Sequence, residues 1–390
     1  MPLAMIDDIL AIAECGIKSV AVNAFINSKI EMNKLLFSEP KCKHLHAGEC
    51  NPFCPILNVH GEDMVKTSNE KYIGDIIGAT ISECNNKNTT NRKNKGIGLV
   101  AQIMTILDRV SLGCFVFEIA AILRESLFIN GILYNIEVWY GINKSQVQEL
   151  EDIDKLLLQR VLRAPMSTPR EALYLELGLL PISHIIKGRR VMFLHYLLQL
   201  DIDEMLSEFF FAQWNSPSTN DWVLTVKDDL IELDITCNLL EIRSHSKESF
   251  KKLVKDSCTK LAFSNLTDLQ KSHSKMSNIK YVDFKMQPYF HDGSIDARTL
   301  FLYRTRMVQV HNNYRGSSQE KQVCPLCNDD TDTQEHLLTC QKIHGMSRPN
   351  VTYEDIFGDD LCKIKNTLTA LQSSFKFREA ILNNSDGVTE

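Results

Sequence analysis

Four residues late in the chain do most to restrict how it folds: Cys324-Pro325-Leu326-Cys327, eight residues, His336, three residues, Cys340. Two thiolates on a tight turn, with a His/Cys pair at i and i+4 on one helical face, can converge on a single tetrahedral ion. Thiolate and imidazole suit zinc, whereas magnesium prefers oxygen. Four protein ligands leave no open position, so the expected zinc is structural and not catalytic. Residues 311–322 (HNNYRGSSQEKQ) read as a linker and leave 321–345 little core of its own. A zinc ion, worth about 10–16 kcal/mol of apparent binding energy in small zinc peptides, would then fold this segment. The competing reading of the same four residues is unrelated polar side chains in a loop.

The remaining cysteines sharpen the compartment. Twelve cysteines in 390 residues, with no basic leading region before the apolar N-terminal stretch, read as reduced thiols or metal ligands. Residues 110–123, the longest apolar run, contain Glu118 and are too short to span a bilayer. The expectation is an intracellular protein, nuclear or cytoplasmic, not secreted and without a membrane partner. A second constellation holds Cys42, His44, His46, Cys50, Cys54 and His60. Strand alternation would put Cys42, His44 and His46 on one face, either as a second metal site or as half-buried strand residues.

The formal net charge of −6 is unevenly spread. Residues 155–195 carry seven Lys or Arg against two acids, and residues 242–285 carry ten against four. Any single charge on a helix is usually solvated, but two basic stripes point to a phosphate backbone, RNA or DNA, as partner. Lys187, Arg189 and Arg190 in the first stripe and Lys251, Lys252 and Lys255 in the second are the candidate contacts.

Local patterning predicts α+β architecture, mostly helical. Residues 72–78 (YIGDIIG) read as a short glycine-punctuated hairpin. Residues 84–96 (CNNKNTTNRKNKG) are polar and of low complexity, and the expectation there is a mobile loop. Ser145 with Gln148 fits a capping box, and apolar residues at helical spacing run from Val147 to Val161. Pro165 stops that helix. Thr168, Pro169 and Glu171 start a short one that Gly178 and Pro181 close, and residues 182–200 make another. Residues 214–221 (WNSPSTND) read as a linker.

Asp7-Asp8 stands between apolar runs. It fits either a tight hairpin presenting two carboxylates to magnesium or an acidic cap on an apolar helix.

Taken in order, these segments resemble the C-terminal part of non-LTR retrotransposon reverse transcriptases. PLAMIDDILAIAECG resembles the palm motif whose Asp-Asp turn binds metal, and INSKIEMNKLLFSEPKCKHLHAG the helix and strand after it. YIGDIIG is similar to the hairpin that grips the primer terminus. KGIGLVAQIMTIL and LEDIDKLLLQRVLRAPMSTPREALYLELGLLPI resemble the helical thumb and the region after it. CPLCNDDTDTQEHLLTC resembles the late cysteine/histidine zinc motif.

The resemblance implies a partial palm at 1–84, a helical thumb-like region at 97–200, a helical connector with a basic stripe at 201–320, a small zinc-binding module at 321–345 and a C-terminal tail at 346–390. It implies Asp7 and Asp8 as catalytic carboxylates of a two-magnesium site. It implies Tyr72, Ile73 and Gly74 as the primer grip, and Cys324, Cys327, His336 and Cys340 as zinc ligands. Met5 departs from the family, which commonly has an aromatic there. The family also draws a further aspartate and its fingers from upstream, and the chain starts six residues before Asp7. A fragment of an RNA-directed DNA polymerase, inactive alone, is therefore expected. The alternative is a non-catalytic zinc-containing nucleic-acid-binding protein derived from such an element. Nothing in the sequence specifies an oligomeric state.

Overall fold

In the computed structural model the described residues are 16–33, 42–45, 56–59, 61–72, 74–78, 80–109, 113–139, 141–218, 221–273, 276, 279–310, 323–345 and 347–385. They are mostly helical, with three two-stranded sheets, in keeping with the α+β expectation. Asp7 and Asp8 lie outside the described residues, as do Ile73, His46, Cys50, Cys54, His60 and the 311–322 segment.

After helix α1 (Gly16–Asn33), strand β1 (Lys43–Leu45) pairs in parallel with β4 (Val65–Thr67). Strands β2 (Asn58–Val59) and β3 (Glu62–Asp63) form an antiparallel pair, and so do β5 (Asn69–Tyr72) and β6 (Asp75–Gly78). In the last pair Tyr72 is the register partner of Asp75, and Gly74 takes φ +90°, a left-handed value that favours glycine.

Residues 84–96 are not a loop. They form the first half of α2 (Ile81–Arg109), a 29-residue helix. The polar residues there hold the helix to the β5–β6 hairpin. Asn88 accepts from the Ile76 N–H at 2.7 Å and donates to the Ile76 carbonyl at 3.0 Å. Arg92 pairs with Asp75 and donates to the Tyr134 carbonyl at 3.2 Å. Composition misleads at this point because tertiary hydrogen bonds outweigh weak helix propensity.

One large apolar core runs through most of the chain. Val100, Ile103 and Leu107 of α2 share it with Leu150, Ile153 and Leu157 of α5 (Lys144–Leu162). Burying each such side chain is worth about 1.5–3 kcal/mol relative to leaving it in water. The capping box of α5 is Asn143 with Gln146, two residues before the Ser145/Gln148 register; Asn143 Oδ1 accepts from the Gln146 N–H at 2.9 Å. Helix α5 ends at Leu162, before Pro165 as expected. Helix α6 (Arg170–Leu177) starts one residue later than the Thr168-Pro169 reading and closes on Gly178 at φ +62°. A methyl group at Gly178 would overlap the Lys285–Met286 peptide, so this glycine is needed for both its φ and its missing side chain.

Between α2 and α5, helix α3 (Val116–Leu123) continues through a π turn, Arg124–Ile129, into the short α4 (Asn130–Ile132). Helix α7 (Ile182–Gln199) then leads to a second, smaller core with α8 (Met205–Asn215), α9 (Trp222–Glu232), α10 (Leu239–Ser244) and the first half of α11 (Lys247–Ser272). Helices α7 and α11 reach both cores: Ile186 and Leu266 sit in the larger, Val191 and Val254 in the smaller.

Several buried ion pairs tie the molecule together. Arg124 makes a bidentate pair with Asp154, at 2.7 and 2.5 Å, and Tyr174 donates to the same carboxylate at 2.8 Å. Burial opposes the Arg124 charge, but Asp154 beside it more than reverses this and holds its pKa above the ordinary value. Arg304 pairs with Glu176 at 3.0 Å, and Tyr281 and Tyr289 each donate to Glu176 at 2.8 Å. Arg190 pairs with Asp229 at 2.6 and 3.0 Å.

The last third closes onto the larger core through α12 (Ala297–Arg304), α13 (His336–Thr339), α14 (Gln341–His344) and α15 (Leu361–Ser385). Leu337 and Leu338 of α13, and Ile364, Leu368 and Leu371 of α15, all belong to it. The zinc segment therefore does not lack a core, and the stretch after it is more than a tail. Among the described residues, no helix is long and apolar enough to cross a membrane.

Candidate metal centre and basic cleft

Cys324 and Cys327 sit on a turn closed at its base by an antiparallel bridge between Val323 and Thr331. Inside it, the Cys324 N–H donates to the Asp330 carbonyl at 2.6 Å and the Asn328 N–H to the Cys324 carbonyl at 3.0 Å. Asn328 completes the turn at φ +57°, a conformation that asparagine tolerates better than most residues. Opposite the turn, His336 opens α13 and Cys340 follows its last residue.

The four side chains converge. Their ligand atoms all lie within 4.8 Å of one another. Cys324 Sγ is 3.9 Å from Cys340 Sγ, and Cys327 Sγ is 3.3 Å from His336 Nε2. A tetrahedral zinc with ordinary bond lengths needs about 3.8 Å between sulfurs and about 3.6 Å between sulfur and nitrogen. The donor set therefore fits a zinc ion, with Nε2 facing the cluster. His336 Nδ1 faces Asp330 Oδ2 at 3.5 Å, the carboxylate–histidine arrangement that orients an imidazole for a metal.

Burial pushes the Cys324 thiol up to about 12. Cys327 is also pushed up by burial, but the backbone N–H groups of Asp329 and Asp330 outweigh this and bring it below the usual thiol value. Cys324, Cys340 and His336 are all buried, and Cys327 is half-buried. Arg306 pairs with Glu335, Tyr353 donates to Gln334, and Arg378 reaches Asp332 at 2.7 Å, so the ligand-bearing loop is held on three sides. Among the described residues, these four form the one His/Cys/Asp/Glu group with metal-binding geometry.

The second feature is a cleft of about 600 Å³ beside the β5–β6 hairpin. Lys71 and Gly74 line it from the hairpin, Asn91, Arg92 and Lys95 from α2, and Asn130 and Tyr134 from the stretch after the π turn. The Arg92 charge is committed to Asp75, whereas Lys71 and Lys95 are exposed. Gly74 thus stands at a cationic concavity, whereas Tyr72 is not among the residues that line it. Patterning alone does not single out Asn91, Arg92 and Lys95, because they fall in a stretch whose composition suggests a loop; the run Arg92-Lys93-Asn94-Lys95 is the signal that could have found them.

The two basic stripes fare differently. Arg190 is buried against Asp229, and Lys187 reaches Asp229 at 3.5 Å and Glu232 at 2.7 Å. Arg189 donates to the Leu133 carbonyl at 2.6 Å and to Asn130 Oδ1 at 2.7 Å, which fixes a wall of the cleft. The three candidate contacts of the first stripe are thus engaged inside the molecule, and Arg190 has no surface from which to reach a phosphate. Lys251, Lys252 and Lys255 project from the exposed side of α11, with Lys251 and Lys255 one turn apart, about 6 Å along the axis.

No family model, curated protein or solved structure matches the chain.

Proposed function

We propose that this chain is part of a reverse transcriptase of the non-LTR retrotransposon type, and that the described residues hold nucleic acid. The observation that supports this best is the hairpin. Its sequence includes Tyr72-Ile73-Gly74, which resembles a primer grip, and its Lys71 and Gly74 line a cleft that Lys95 also faces, with both lysines exposed. Lys251, Lys252 and Lys255 on α11 supply a second cationic surface. The zinc at Cys324, Cys327, His336 and Cys340 has a structural role. Magnesium at Asp7 and Asp8 rests on the resemblance alone. A non-catalytic nucleic-acid-binding protein derived from such an element would use the same surfaces, and the described groups all suit binding more than bond-making.

The test is fluorescence anisotropy with a labelled RNA–DNA duplex over a salt series. Wild type should bind with an affinity that falls by about 0.9 log units per contacted phosphate per decade of salt. Lys71→Glu/Lys95→Glu and Lys251→Glu/Lys252→Glu/Lys255→Glu should each weaken binding and flatten that slope. Unchanged affinity and slope in both would overturn the proposal. Primer extension that disappears in Asp7→Ala would separate the polymerase from the binder.

A further inference from the structure

One end of the smaller core has a character that neither zinc nor nucleic acid uses. Residues 191–226 contain five acids and no Lys or Arg. At the centre of this stretch, α8 buries Ser207 and Phe210 and turns its other side to solvent. Ile202 is 76% exposed, Met205 71%, Leu206 45% and Phe209 61%. Met205, Leu206 and Phe209 are at i, i+1 and i+4, so they form a continuous apolar strip on the outer face of the helix, which Ile202 extends past its N-terminus. Single exposed apolar residues are ordinary, but a contiguous strip of large ones is unusual on a lone surface.

The charged residues flanking the strip within 201–209 are all acidic. Asp201, Asp203, Glu204 and Glu208 are all exposed, and none makes an ion pair among the described residues. Acids near a helix N-terminus stabilise its dipole, which accounts for Asp203 and Glu204 but not for the bare Met205 and Phe209 beside them. An anionic phosphate backbone or an anionic lipid surface would be repelled here. A second copy of the same face would bring acid against acid.

We propose that the outer face of α8 docks a basic amphipathic helix from a partner protein. Its apolar residues would cover Ile202, Met205 and Phe209, and its flanking Lys or Arg would meet the four acids. This is the helix-on-apolar-strip mode of recognition, in which apolar anchors supply affinity and rim charges supply specificity. The proposal is independent of the nucleic-acid reading.

The test uses the full chain and a fluorescein-labelled Leu/Lys amphipathic helical peptide as probe, with its Leu/Glu counterpart as control. Wild type should bind the first and not the second. Met205→Ser/Phe209→Ser should weaken binding by about tenfold or more. Glu204→Lys/Glu208→Lys should weaken it comparably and shift preference toward the Leu/Glu peptide. Because these side chains are exposed, unchanged thermal melting by circular dichroism verifies that the variants fold. Lys251→Glu/Lys252→Glu/Lys255→Glu should leave peptide binding intact. Equal binding by wild type and both α8 variants would overturn the proposal. So would sedimentation equilibrium showing self-association, or flotation showing anionic-vesicle binding, that Met205→Ser/Phe209→Ser abolishes.

Discussion

Gly178 and His184 show how much single positions carry. Gly178 combines φ +62° with a close approach to the Lys285–Met286 backbone, where the 279–296 segment crosses the end of α6. Gly178→Ala meets both a left-handed backbone penalty and a backbone clash. It should cost about 2 kcal/mol or more in urea unfolding, against a gain expected at an unstrained site. His184, buried on α7, lies 3.3 Å from Asn265 and 3.2 Å from Ser183. Burial, with the nearby Lys187, lowers its pKa from 6.5 to about 4. The neutral ring is favoured in the folded protein, so its stabilising contribution is full above pH 6.5. It should decline as pH falls from 6.5 toward 4, by up to about 3 kcal/mol. His184→Gln should flatten stability against pH across that window; an unchanged slope would show that other groups carry it. Neither position's role is legible in the sequence. Gly178 reads there as a helix stop, which it is, but the crossing segment lies over a hundred residues away. The same holds for Arg190, which reads as a phosphate ligand until its partner Asp229 is located 39 residues on.

Among elements, α2 shows where patterning fails and why. Its first half lacks an apolar stripe, and Asn85, Asn88, Thr89 and Arg92 are buried nonetheless. Two of them, Asn88 and Arg92, find their partners on the β5–β6 hairpin, at Ile76 and Asp75, and no local rule encodes a partner of that kind. Asn88→Ala should leave the Ile76 N–H and carbonyl without this partner, at a cost of about 1–3 kcal/mol. Amide exchange should accelerate at Ile76 and its neighbours while the α5–α6 region stays protected. Uniform acceleration throughout would mean that the hairpin is not separately anchored. By contrast, α5, α6 and α7 are legible to within two residues, the start of α5 being read at Ser145 where Asn143 is the cap. Their boundaries are set by Asn143, Pro165, Gly178 and Pro181, whose signals are local.

For the molecule as a whole, the four residues of the Cys/His cluster are readable from spacing alone, but their setting is not. The sequence suggests a small module between linkers, folded by its ion. Instead, Leu337 and Leu338 enter the larger core beside Ile364, Leu368 and Leu371, and Arg378 of α15 pairs with Asp332 in the ligand loop. Losing the ion should therefore loosen α15 as well as 323–345, while the smaller core around α9 and the first half of α11 holds. The direct test is metal analysis of purified wild type and Cys327→Ser, paired with thermal unfolding. Wild type should hold one tightly bound zinc per chain, and Cys327→Ser, left with three good ligands and one poor one, should lose it and melt at lower temperature. Equal zinc in both proteins, or none in wild type, would contradict a Cys3His centre at Cys324, Cys327, His336 and Cys340.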